Sequence, residues 1–169
     1  MDYAGLQRRL AAGDVVLLDG GTGTELQRRG ARMDAGAWCG PASLESGEIL
    51  ERVHRDYIAA GADVITANTY ASSRLMLEPA GYGGRFAEIN RAAVEAAHRA
   101  REASGRSDVL VGGSLSHMAP FLPRSAQPDT GRSPSAMAMQ DAFGELAGFL
   151  ADSGCDLILL EMMYYPERM

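Results

Sequence analysis

Two carboxylates, an amide, several hydroxyls and a set of glycines stand where apolar runs stop in this 169-residue chain. The runs 15–18, 64–65, 109–111 and 157–160 lead into Asp19-Gly20-Gly21, Asn68-Thr69-Tyr70, Gly112-Gly113-Ser114 and Glu161. One such residue is readily a strand-end cap or turn former; four coincident sets describe a lined mouth. Two carboxylates facing one cavity suit an ammonium group. They equally suit an acid/base pair whose pKa values are pushed apart by repulsion, and the sequence leaves both roles open. The glycines let backbone approach a ligand and offer unhindered N–H donors.

Other chemistry-bearing residues are weaker. Gly21-Thr22-Gly23 follows an apolar run, but the third glycine of a dinucleotide fingerprint would fall at Leu26. The segment reads instead as a short helix over 24–29, capped by Thr22 or Thr24 and ended by Gly30. His54-Arg55-Asp56 resembles a kinase triplet without the rest of that set, and is expected on the solvated face of an amphipathic helix. His98 is likewise helical. His117 follows the third run on the same side as the mouth. Trp38, the only tryptophan, lies in the first long loop there, and an aromatic on a polar rim can close over a ligand. Cys39 and Cys155 are too few for a disulfide framework.

The elements that must position these residues show as a repeat. Each apolar run is preceded by a glycine and then an aspartate, at Asp14, Asp63, Asp108 and Asp156. The unit therefore recurs every ~45–50 residues. Continuous runs of this length predict strands buried on both faces, as in a parallel sheet. The stretches between carry helical stripes. Leu50, Val53 and Tyr57 precede a cap at Gly61. Phe86, Ile89, Ala93, Ala97 and Ala100 form a second stripe. Met139, Phe143, Leu146 and Leu150 form a third, with Ser133 as N-cap, Pro134 as first helical residue and Gly154 past the end. A short helix over 4–11 precedes them all. The order β-α-β-α-β-α-β gives an α/β fold with right-handed crossovers, either an open doubly wound sheet or a barrel. The long connections 20–43, 71–85 and 116–127 all lie on one side of the sheet, where barrel enzymes place their chemistry. The Gly/Pro/Ser-rich stretch 120–135 reads as a mobile loop there.

Composition narrows the classes. With 46% hydrophobic and 22% charged residues the chain is globular. A net charge of −6 and no basic stripe argue against nucleic-acid or acidic-membrane partners. All 16 basic residues are arginine, so this segment holds no lysine chemistry; a Schiff-base aldolase would need its lysine from elsewhere. No run approaches the roughly 20 apolar residues of a membrane span, and the N-terminus is not a signal peptide. A reducing, cytoplasmic setting is expected.

The ordered segments Leu17-Leu18-Asp19-Gly20-Gly21-Thr22-Gly23-Thr24-Glu25-Leu26, Gly61-Ala62-Asp63-Val64-Ile65-Thr66-Ala67-Asn68-Thr69-Tyr70, Ile89-Asn90, Val111-Gly112-Gly113-Ser114-Leu115 and Leu160-Glu161 resemble the homocysteine S-methyltransferase family from about residue 14 to 162. That resemblance implies a TIM (β/α)8-type barrel, of which this chain, residues 1–169, holds about the first four βα units as the N-terminal half. It implies transfer of a methyl group from a small donor to the thiol of homocysteine, giving methionine, with zinc favouring the thiolate. By the family's motifs, Asp19, Gly20 and Glu161 contact homocysteine, Glu161 at its amino group. Asn68 and Thr69 line the pocket, and Trp38 falls near the aromatic that closes on the donor in the betaine-using branch. The family's zinc sits on three cysteines in the later half of the barrel, and Cys39 and Cys155 match none of them. No catalytic residue and no metal ligand are therefore expected in this chain, and alone it is expected to be inactive. The alternative is a non-catalytic half-barrel that self-associates as a homo-oligomer or binds homocysteine weakly. Donors among relatives include S-methylmethionine, S-adenosylmethionine, betaine and methylfolate, and the sequence does not choose between them.

Overall fold

A computed structural model describes residues 1–116 and 133–163; His117 and most of the stretch 120–135 lie outside them. The elements follow the helix and strand alternation expected from the repeat. They are α1 (Tyr3–Ala11), α2 (Thr22–Arg28), α3 (Ala42–Glu45), α4 (Gly47–Ala59), β1 (Val64–Ala67), α5 (Arg74–Leu77), a 3-10 turn (Gly83–Arg85), α6 (Phe86–Ala103), β2 (Leu110–Ser116), α7 (Ala136–Asp152) and β3 (Leu157–Glu161). The sheet is parallel in the order β1-β2-β3, with Val64 opposite Leu110 and Ser114 opposite Leu159. Helices α4 and α7 stop as their sequences predict, at Gly61 (φ 105°) and before Gly154 (φ 86°), and α6 ends at Ser104, before Gly105.

The first expected strand is a correction. Residues 15–18 form no strand; Leu18 makes a single parallel bridge to Val64. Among the described residues nothing pairs with the segment's other edge, and Val15 is left 73% exposed. Two cap assignments also change. Ser135, not Ser133, caps α7 by accepting from the Ala138 amide, and the helix begins at Ala136. Gly21 precedes α2 without a side-chain cap, and Thr22 is already its first helical residue.

Strand alternation sorts the sheet into two faces. Ile65, Val111, Leu115 and Ile158 pack with Ile58, Ile89, Val94, Leu146 and Leu150 of the helices in the main core. Val64, Leu110, Leu157 and Leu159 point the other way and meet Leu6 of α1. Continuing along that second face, the sequence turns polar at Thr66, Ser114 and Glu161. This gradient from apolar strand starts to polar strand ends is what builds the site. His54 departs from its expected solvated position: it is fully buried on α4, its ring nitrogens lack a partner among the described residues, and burial pushes its pKa down to about 4. Among the described residues no helix is long and apolar enough to cross a membrane.

The repeated aspartates fasten the strands. Asp63 accepts from the Leu17 amide (2.9 Å) and pairs with Arg9 of α1 (3.0 Å). Asp156 repeats this two units on, accepting from the Val111 amide (2.8 Å) and pairing with Arg101 of α6 (2.9 Å). Each aspartate thus ties the start of one strand to the preceding one and to a helix. Asp63→Ala and Asp156→Ala are each expected to lower the unfolding free energy by about 1–3 kcal/mol, since a strand amide and an arginine lose their acceptor. Asp14, exposed and 3.9 Å from Arg9, should cost under about 0.5 kcal/mol on the same change. Urea denaturation measures all three. The Arg9 hydrogen bond and the Leu17 amide hold the Asp63 carboxyl below its ordinary pKa of 3.8. Its contribution is therefore present above about pH 4 and lost as pH falls through the lower folded value.

Candidate functional site

A cavity of about 420 Å³ opens at the C-terminal ends of the strands. Its walls come from four places: the segment leading into α2, the loop at Trp38 and Cys39, the end of β1, and the end of β3. Of the residues expected there, Asp19, Gly20, Trp38, Asn68 and Glu161 line it. Thr69 does not; it is fully buried and donates its hydroxyl to the Ser114 carbonyl oxygen at 2.8 Å.

Asp19 leaves the first segment and turns onto β1, where the Thr66 amide and hydroxyl both donate to its carboxylate at 2.7 Å. Burial pushes its pKa up to about 6; the two Thr66 hydrogen bonds work against that shift, and the charge of Glu161 adds to it. Asp19 thus feels Glu161 across one cavity. Glu161, the last residue of β3, accepts a hydrogen bond from the Ser114 hydroxyl. A cation placed between the two would lower the Asp19 pKa and be held by both.

The opposite wall is aromatic. Asp34 accepts from the Gly36 and Ala37 amides (2.7 and 2.8 Å), and its own amide donates to the Trp38 carbonyl oxygen (2.8 Å). This tight reversal holds Trp38 at φ 44°, a conformation that non-glycine residues adopt at a cost of about 1–3 kcal/mol. The indole meets Tyr70 edge-on, with centroids 6.1 Å apart. Gly23 lets α2 approach it, since a Cβ there would stand 2.7 Å from the indole. Asn68 joins this loop to the end of β1 by donating to the Cys39 carbonyl oxygen (2.8 Å) and the Ser43 hydroxyl (3.0 Å).

Thr66, Tyr70 and Met162 also line the cavity and were not among the expected contacts, although Tyr70 was read as part of the pocket triplet. Thr66 had a signal: it is a polar residue set between the apolar Ile65 and Ala67. The residues present do not fit a zinc site. Among the described residues no group of three or more His, Cys, Asp or Glu could hold a metal. Cys39 is buried in the cavity wall, and burial pushes its thiol up to about 12, far from the thiolate that zinc binds. Cys155 lies at the other end of β3, its thiol likewise pushed up to about 12 by burial.

Fold and site define an α/β protein whose ligand cavity stands at the carboxyl ends of parallel strands. The chain belongs to the homocysteine S-methyltransferase family, which it matches over residues 16–169. It is 36% identical to betaine–homocysteine S-methyltransferase 1 of Danio rerio over 120 residues, covering 70% of this chain and 29% of that protein. It is 30% identical to homocysteine S-methyltransferase 2 of Zea mays over 164 residues, covering 89% of this chain and 48% of that protein. The metallated form of the homocysteine methyltransferase MmuM from Escherichia coli superposes with a TM-score of 0.75 at 27% identity, covering 91% of this chain and 56% of that one. The chain therefore spans about half the length of these relatives or less.

Asp19 offers a direct test of the electrostatics. Its folded pKa lies above the unfolded 3.8, so ionised Asp19 subtracts stability, increasingly as pH rises from about 4 through 6. Asp19→Asn should then raise the unfolding free energy at pH 7 by about 1–2 kcal/mol and have little effect at pH 4. Urea midpoints at the two pH values decide; destabilisation at pH 7 would mean that the charged form is the one the fold prefers.

Proposed function

We propose that this chain supplies the amino-acid-binding half of a homocysteine S-methyltransferase, as the first four βα units of a (β/α)8 barrel. The observation that carries the reading is the pairing of Asp19 and Glu161 on one cavity, each anchored by a hydroxyl from the neighbouring strand. Two fixed carboxylates hold the ammonium group of homocysteine. Gly20 leaves backbone open to the substrate, and Trp38 with Tyr70 covers the cavity from the side where a small methyl donor would approach. In a whole family member zinc supplies the activation of the substrate sulfur, on ligands outside these 169 residues. The residues of this chain bind and orient; they move no methyl group themselves, and homocysteine and donor are the partners of the complete barrel.

A second reading has its own observation. Val15, Leu17 and Leu18 on one edge of the sheet, and Leu160 and Met162 on the other, are apolar and exposed. Parallel edges of this kind pair with further strands, so the 169-residue chain made by itself is a non-catalytic half-barrel that self-associates. Size-exclusion chromatography with light scattering separates this from a monomer, and Leu160→Glu should shift an oligomer towards monomer.

The amino-group role is tested by comparing L-homocysteine with 4-mercaptobutanoate, which lacks only the amine, in NMR titrations of the chain. The former should bind at least about ten-fold more tightly, the scale of one charge-assisted contact, and equal affinities would count against the reading. In an active form carrying the rest of the barrel, Glu161→Ala should raise the KM for homocysteine about ten-fold or more while the donor KM changes less than about two-fold. Metal analysis of the 169-residue chain should find no stoichiometric zinc; tight one-to-one binding would overturn this account of the cysteines.

A further inference from the structure

Thr69 belongs to the triplet at the end of β1, yet it points away from the cavity that Asn68 and Tyr70 line. Its hydroxyl has two carbonyl oxygens within reach, that of Ser114 at 2.8 Å and that of Ala67 at 3.5 Å. A hydroxyl has one proton to give, and the shorter distance claims it. Ser114, in β2 and fully buried like Thr69, in turn donates its own hydroxyl to Oε2 of Glu161 at the end of β3. Residues from three successive strand ends thus form one train: the Thr69 hydroxyl fixes the Ser114 backbone, and the Ser114 hydroxyl fixes the carboxylate.

We infer that Thr69 and Ser114 are positioning residues that set the Glu161 carboxylate for the substrate's ammonium group. The inference rests on the amino-group role proposed for Glu161. A glutamate side chain has three rotatable bonds, and β3 is half-exposed along most of its length, so packing alone does not hold this one in place. The next residue, Met162, has φ 53° and lines the same cavity. With Oε2 engaged by Ser114, Oε1 remains for a ligand in the cavity. The arrangement parallels that of Asp19, whose carboxylate is fixed by Thr66 on its own neighbouring strand. The difference is that Thr66 reaches its carboxylate directly, whereas Thr69 acts through Ser114.

The test uses Thr69→Val, Thr69→Ser and Ser114→Ala in the 169-residue chain, each titrated by NMR with L-homocysteine and with 4-mercaptobutanoate. Thr69→Val keeps the shape of threonine and removes the hydroxyl; Thr69→Ser keeps the hydroxyl and removes a methyl. Positioning predicts that Thr69→Val and Ser114→Ala weaken L-homocysteine about ten-fold, leave 4-mercaptobutanoate within about two-fold, and that Thr69→Ser behaves as the unsubstituted chain. Thr69→Ser as damaging as Thr69→Val, or both ligands weakened alike, would show packing instead and overturn the inference. Should Ser114→Ala fail to fold, the two Thr69 variants decide by themselves. If the unsubstituted chain does not prefer L-homocysteine over the amine-free ligand, the amino-group reading falls and takes this inference with it. Preference retained in every variant overturns the inference alone.

Discussion

The Asp19 carboxylate lies against β1, where the Thr66 amide and hydroxyl both reach it at 2.7 Å. That contact serves two ends. The first segment has a single bridge to the sheet, Leu18 to Val64, so the side-chain bond at Asp19 extends the pairing by one more residue. It also holds a carboxylate beside a cavity that removes it from water. Burial raises its pKa to about 6 in spite of both donors, which means that water has been replaced incompletely. A carboxylate in this state still gains from a nearby cation, which is the physical ground for proposing Asp19 as a binding group and not only a structural one.

The remaining architecture positions that carboxylate. Asp63 and Asp156 bind the starts of strands to arginines of the helices, two repeats apart, and so fix how far β1 advances past the first segment and β3 past β2. The advance decides which residues reach the mouth. Thr66 stands opposite Gly112 and Ser116 opposite Glu161, so the polar residues come forward together while the apolar starts of the strands gather around Leu6. Shifting one strand by a residue would turn its polar end into the helix layer. The aspartate clamps at one end of the sheet therefore carry the geometry of the carboxylates at the other.

Much of this was legible in the sequence, and the exceptions have physical causes. The Gly/Asp repeat located three strands and the helices between them, because strand and helix periods differ and each survives in the order of apolar residues. Residues 15–18 look like those strands but make a single bridge to β1, and sequence pattern does not show how far a pairing runs. His54 was placed with Arg55 and Asp56 on the solvated face, although it lies four residues from both Leu50 and Ile58 and so shares their buried stripe. Ser133 and Ser135 flank the same proline, and the cap rule is met by either until the helix start is seen. The site residues were found by where apolar runs end. What the runs do not disclose is direction: the chain bends at Asn68, where the Thr69 amide donates to the Ala67 carbonyl oxygen at 2.7 Å, and Thr69 goes to the Ser114 carbonyl while Asn68 and Tyr70 line the cavity.

The exposed apolar residues at the two edges bear on the chemistry as well as on assembly. Leu18 immediately precedes Asp19 and lines the same cavity, so whatever covers that leucine also draws water away from the carboxylates. Charges in a drier site interact more strongly, both with each other and with a ligand cation. Covering the edges would then make the unliganded pair costlier and the liganded pair better held, which couples burial of the edges to occupation of the site. Its carboxylates are already in register, anchored by Thr66 and Ser114, and the dielectric around them is what a further layer of chain would change.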